Sequence, residues 1–401
     1  MRYRAQLDWL NFFLADVRGG LGPYVGVFLL TEAHWDQATI GAVLTVSGLI
    51  GIALHVPIGA LIDVTRSKRG LLVTGVVALT GSALAMAWAP TLPVVLAADI
   101  VMAVLGAVFA PTVAAITLGL VGRAELAKRL GRNAACDRAG NIFIGALAGL
   151  VGSTFGQRAV FHLVPLFAVL TTLTVLAIPA GAIDHEQARG LDEDRPGRGG
   201  NPAGWHVLFD RRPLLVLAVG VALFHFANAP MLALLTQKLA LAHAGAETAL
   251  VAACVVTAQL VSVPTALLVG LRADTWGRKP LLLAAFAALP VRGVLFTVSD
   301  VPAFLIAVQA LDGIALGILD ALIALVLADI MRGTGRYNAA RGLMGTVQGI
   351  GGSLSNVAAG LIVVNAGYGA AFLTLAAVAL TAFIVILAAM PETGRNRVAP
   401  A

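Results

Sequence analysis

The sequence predicts an all-α polytopic membrane protein: twelve transmembrane helices in two pseudo-symmetric bundles of six. Three observations predict it. Of 401 residues, 59% are hydrophobic and only 12% are charged, about half the charged share of a water-soluble domain. The apolar residues fall into long runs separated by polar breaks. Once those runs are threaded through a bilayer, 22 of the 27 Lys and Arg residues fall on one side of it. Such a chain is neither a soluble enzyme nor a polar, disordered one.

The runs lie at 8–30, 38–62, 71–89, 93–121, 135–156, 158–181, 213–239, 247–271, 280–299, 301–330, 338–365 and 368–390. About 20 apolar residues cross the roughly 30 Å hydrocarbon core, and in lipid a helix satisfies its own backbone. The first run outlasts a signal-peptide core, so no cleavable signal is expected. Its Gly19-Gly20-Leu21-Gly22-Pro23 stretch predicts a loosened or kinked helix. The runs 93–121 and 301–330 exceed the bilayer minimum, which predicts tilt or protrusion.

Orientation follows from the basic residues, which gather on the cytoplasmic side. Both termini are therefore expected inside a bacterial-type inner membrane. Only Arg158 and Lys238 fall outside, and Arg18, Arg138 and Arg292 lie within spans. The net charge of +6 thus reports topology, and no nucleic-acid partner is expected. The organisation is an N-terminal bundle at 1–181, a charged, Gly- and Pro-rich cytoplasmic linker at 182–212, a C-terminal bundle at 213–390 and a tail at 391–401. A short surface helix is expected near Trp205–Phe209. Cys136 and Cys254 stand in apolar stretches without metal-ligand spacing, and read as packing residues.

The two halves repeat each other. Gly59-Ala-Leu-Ile-Asp63 ends the second span and Gly270-Leu-Arg-Ala-Asp274 the eighth, each before a basic turn. Phe12 and Ala15 precede Asp16 as Phe224 and Ala227 precede Asn228. Asn133-Ala134-Ala135 opens the fifth span, and Asn338-Ala339-Ala340 the eleventh. The offsets of 211, 212 and 205 residues argue for duplication into parallel halves.

With six spans plus six, a long central loop and Gly-x-x-x-Asp-x-x-Gly-Arg-Lys at Gly270, Asp274, Gly277, Arg278 and Lys279, the chain resembles the major facilitator superfamily of secondary transporters. The N-terminal copy keeps Gly59, Asp63 and the basic cluster but has Ser67 where the second Gly falls. The resemblance implies a conformational latch: Asp63 with Arg66 or Arg69, and Asp274 with Arg278. A topogenic role for these charges is the plainer alternative. It also implies alternating access, a monomer, and a central cavity lined by spans one, four, seven and ten. Proton-driven exporters of the superfamily usually carry an Arg four residues before a Gly in span four and a Gly-Pro pair in span five. Here Met102 precedes Gly106, and span five has Gly145, Gly149 and Gly152 without Pro.

An ionised side chain at mid-bilayer is costly and therefore a functional candidate. The candidates for proton coupling or solute contact are Asp16, Arg18, Asp99, His225, Asn228, Gln309, Asp312 and Asp320. Arg18 lies about 200° around the helix from Asp16, so the two are not a same-face pair. Gln309 and Asp312 share a face. Asp312 reads equally as a ligand contact and as a buried structural acid, with Arg292 either its partner or snorkelling outward near Asp300. His225 is a titratable candidate or a hydrogen-bonded core residue. Asn141, Gln259, Gln348 and Asn356 read as glue between helices.

No phosphate-binding loop, metal cluster or nucleophile motif is visible, so neither an enzyme nor a cofactor is expected. The function expected is proton-coupled export of a small amphiphilic organic solute, driven by the proton gradient within a lipid bilayer. The alternatives are uptake or facilitated diffusion of an organic anion anchored by Arg18, and a non-transporting membrane sensor or scaffold.

Overall fold

A computed structural model of the chain describes residues 3–15, 22–185, 207–331 and 337–394. Almost everything described is helical. Nine helical stretches among these residues are long and apolar enough to cross a membrane by length and composition. Twelve spans emerge once three local features are recognised. The last stretch, 340–389, is two spans joined at Gly367 (φ 81°). Span one is built from two shorter helices, Arg4–Ala15 and Gly22–Thr31. Span nine, Arg278–Leu295, carries Arg278, Lys279 and Arg292, more charge than an ordinary span.

The remaining elements lie close to the apolar runs. Span two is Gln37–Val64, and Asp36 caps it by accepting the Thr39 N–H at 2.8 Å. Span three is Lys68–Trp88. Spans four and five form one helical run, Leu92–Phe155, that turns at Gly122 (φ 72°). The stretch 123–134, a polar break in the sequence, is helical. Its Ala, Leu, Lys and Arg residues are good helix formers, so their polarity marks the membrane surface and not the helix end. Span six comprises Gln157–Phe161 and Leu163–Leu176. It stops before Pro179, five residues short of the apolar run. A short helix Val207–Asp210 overlaps the expected surface helix. Spans seven and eight are Arg212–Ala242 and Glu247–Trp276. Span ten is split into Pro302–Val308 and Ala310–Ile330.

The chain folds as two compact units, one of 1–196 with 239–256, the other of 197–238 with 257–401. In the first, span two and span three pack on the 92–155 helix, as does Arg4–Ala15. In the second, span nine packs on spans ten to twelve. Large apolar side chains on the outer faces stay exposed: Trp88 is 78% exposed, Phe155 79% and Leu271 80%. In water such surfaces would drive association; in lipid they are already solvated.

The repeat is visible in backbone packing as well as in sequence. A side chain at Gly140 of span five would collide with the Phe12 carbonyl of span one. At Gly351 of span eleven it would collide with the Ala222 carbonyl of span seven. Positions 140 and 351 are 211 apart, the offset of the two basic turns. The same offset links Gly156 and Gly367, which end spans five and eleven with φ of 88° and 81°. Only glycine adopts that backbone freely, so the two halves solve one geometric problem in one way.

Candidate functional site: a buried Asn–Arg–Asp cluster

The unit holding spans nine to twelve buries an ionic cluster inside its helices. Arg292 is fully buried. Its Nη1 donates to Asn228 Oδ1 of span seven at 2.6 Å and to Asp312 Oδ1 of span ten at 2.7 Å. Its guanidinium carbon lies 5.3 Å from the centre of the Phe296 ring. Of the two sequence readings of Arg292, partnership with Asp312 is the one the structure shows. Asp300 pairs with Lys238 instead, at 2.6 Å. That exposed hydrogen bond holds the Asp300 carboxyl below the usual carboxylate range.

Local folding explains where the charges sit. Span ten is interrupted at Gln309, whose carbonyl accepts from the N–H of both Asp312 and Gly313. The second helix starts at Ala310, so Asp312 occupies its first turn, where the helix dipole favours an anion. Arg292 occupies the last turn of span nine, where the dipole favours a cation. At 1.5 Å per residue, Asp312 lies about 15 Å along span ten and Asn228 about 24 Å along span seven, well inside both helices. Gln309 is also fully buried, and both ends of its amide have no hydrogen-bond partner among the described residues. It stands one turn from Asp312 on the same helix face.

Asp99 belongs to the other unit. It is half-buried in span four, and its Oδ2 contacts Ser47 Oγ of span two. Ser47 Oγ also reaches the Val43 carbonyl, at 2.8 Å. One hydroxyl carries one hydrogen. That hydrogen serves either the Val43 carbonyl or Asp99 Oδ2, which accepts from the hydroxyl. No cation lies within salt-bridge distance of Asp99 among the described residues.

The other candidates are placed less tightly. His225 and Asp320, of spans seven and ten, lie within electrostatic reach of each other. Asp16 and Arg18 lie outside the described residues, as do the surroundings of Gly59 and the side chain of Asp63. Arg69 donates to the Leu176 carbonyl of span six at 3.2 Å, and Arg66 is exposed.

At the basic turn after span eight, Arg278 bridges Asp274 (2.8 Å) and Asp329 of span ten (3.1 Å). The backbone N–H groups of Arg278, Lys279 and Gly394 donate to the Glu392 carboxylate at 2.8, 3.0 and 2.8 Å. Burial raises the Glu392 pKa, but these backbone donors outweigh it and hold the carboxyl below its ordinary 4.5. A carboxyl depressed on folding stabilises above its unfolded pKa, and that contribution is lost as pH falls through the folded value. Glu392→Gln should therefore cost about 1–2 kcal/mol, the worth of a helix cap. Thermal melts in detergent above pH 5 should show the loss, and it should shrink as the pH drops below 4.5.

Sequence reasoning missed Asp8, Ser47 and Glu392, and read Asp329 only as an acid near the cytoplasmic end of its span. Asp8 at the start of span one accepts from Arg129 (2.5 Å) and Arg132 (2.6 Å). Arg129 also donates to Asn133, which donates to Thr117, both at 2.9 Å. Asn133 was legible as half of a repeat, but no repeat reports which side chains fold against it.

Twelve helices in two repeats, with a paired charge cluster inside the spans and charged ties between their ends, form the framework of a secondary transporter. The family model of the Major Facilitator Superfamily matches residues 9–242 and 217–401. Two proteins described as uncharacterized MFS-type transporters, from Mycobacterium tuberculosis strains CDC 1551 and H37Rv, are each 46% identical over 98% of this chain and 94% of theirs. The crystal structure of the nucleoside transporter NupG superposes with a TM-score of 0.78 at 15% identity, covering 98% of this chain and all of that one. A D-xylose-proton symporter superposes at 0.73 and 14%, covering 97% of each chain. The chain belongs to the Major Facilitator Superfamily.

Proposed function

We propose that the protein couples proton movement to the export of a small amphiphilic organic solute, with Asp99 as the proton-carrying group. The observation that carries this reading is the Asp99–Ser47 pair. A carboxyl within a span that faces a hydroxyl has no cation among the described residues to tie it down, so it can take up and release a proton as its access to water changes. Asp312 is different: it accepts a hydrogen bond from the buried Arg292 at 2.7 Å, and removing its charge would take a counter-ion from that guanidinium. The cluster of Asn228, Arg292 and Asp312 therefore serves as a fixed polar floor. Gln309 beside it offers for a solute an amide donor and acceptor that no described residue uses.

The chain works as a monomer in the inner membrane, with both termini in the cytoplasm, and needs no cofactor beyond the proton gradient. The scarcity of polar side chains along the spans favours an amphiphilic solute over a highly hydroxylated one. Purified protein should be screened by thermal shift against nucleosides, D-xylose and amphiphilic organic ions at two pH values. Any stabilising compound then goes into proteoliposomes holding an internal pH dye. Compound movement against its gradient, driven by an imposed pH gradient with protons moving oppositely, is the expected result. Movement that ignores the pH gradient overturns the proton reading, and co-directional movement overturns export.

A further inference from the structure

The two units treat the same helix start differently. Span nine begins after Gly277, and its first two N–H groups donate to Glu392, the residue after Pro391 at the end of span twelve. The counterpart is span three, which begins after Ser67. Its neighbour, span six, ends before Pro179. Ser67 and Gly277 are 210 residues apart, and Pro179 and Pro391 are 212 apart. The position that corresponds to Glu392 is therefore Ala180. Ser67 makes no side-chain cap, and Ala180 offers no carboxylate where the other half has Glu392.

What adjoins that helix start is a cavity of about 310 Å³. Arg66, Arg69 and His185 line it, with an apolar wall of Leu176, Ala180 and Ile183. Arg69 is held in place through the Leu176 carbonyl. Its Nε is buried without a hydrogen-bond partner among the described residues, and so is Nδ1 of His185. Two buried ring or guanidinium nitrogens left unserved in a native fold call for an explanation.

We infer that this cavity binds a phosphate-type oxyanion, which supplies from outside the charge that Glu392 supplies in the other unit. Three features favour an anion there, and the Asp184 carboxylate, between the lining residues Ile183 and His185, is the acid that opposes it. A helix start favours an anion. An anchored guanidinium offers directional donors to phosphate oxygens. The exposed Arg66 adds long-range attraction. The phosphate belongs either to an anionic phospholipid, whose chains can follow the apolar wall, or to a free ion.

The test uses the full-length protein. Its melting temperature is measured in detergent with sodium phosphate against sodium chloride at equal ionic strength, and in nanodiscs of phosphatidylcholine with and without phosphatidylglycerol. Wild type should be stabilised in at least one arm: phosphate alone identifies a free ion, phosphatidylglycerol alone a lipid headgroup. Ala180→Glu places a carboxylate where Glu392 stands in the other half. It should match the stabilised wild type without added anion and lose the response. Arg69→Gln should need roughly tenfold more anion, the worth of one charge-assisted hydrogen bond. Absence of any response in wild type overturns the site, as does an undiminished response in both variants.

Discussion

Replacing Arg292 with methionine should destabilise the protein more than any other single change in its unit. The substitution keeps most of the side-chain volume but leaves Asp312 buried without its cation. Breaking a buried pair from one side costs about 3–5 kcal/mol, because the remaining charge keeps its desolvation penalty. Asn228 loses its donor as well. Thermal melts in detergent should show a large drop in Tm. The double variant Arg292→Met with Asp312→Leu should recover most of that drop, since an apolar replacement of both partners is often neutral or better. Recovery of stability without recovery of transport would show that the cluster serves the solute. Failure of the double variant to recover stability would mean that Asp312 is not the partner Arg292 neutralises.

The second large effect is expected at Asp99. Asp99→Asn keeps the shape and can still hydrogen-bond Ser47, but it cannot exchange a proton. In proteoliposomes the variant should lose solute accumulation driven by a pH gradient. It should retain exchange of solute for solute, because that needs only a binding site and a rocking motion. Wild-type proton coupling in Asp99→Asn would remove this residue from the mechanism. Loss of exchange together with coupling would assign it to solute binding instead. Because Asp99 is not ion-paired to a described residue, the variant should melt close to wild type, in contrast to the Arg292 variant.

Particular residues show how much can be read in advance. The span limits are legible within a few residues wherever a long apolar run ends in a charged break, as at Lys68 or Arg278. They are not legible at 123–134, where polar residues continue a helix beyond the membrane, or at the end of span six, where Pro179 ends the helix before the apolar run ends. Asp99 and Asp312 are both legible as costly charges. Their difference is not. One faces a serine and the other an arginine 20 positions earlier in sequence, and no periodicity within a helix reports what the neighbouring helix presents. Glu392 draws no notice, because an acid in a polar tail carries no signal until the start of span nine is found beside it.

Hydrophobicity and repeated short motifs alone determined that this chain is a bundle of membrane helices in two related halves. Those properties are sums over many residues, and lipid leaves the backbone few alternatives to a helix. Tertiary structure alone decided which charges are paired, which carboxyl stands beside a hydroxyl, and which helix start is served by its own chain. Each of those depends on a few ångströms between segments far apart in sequence, which the order of residues along one helix does not report.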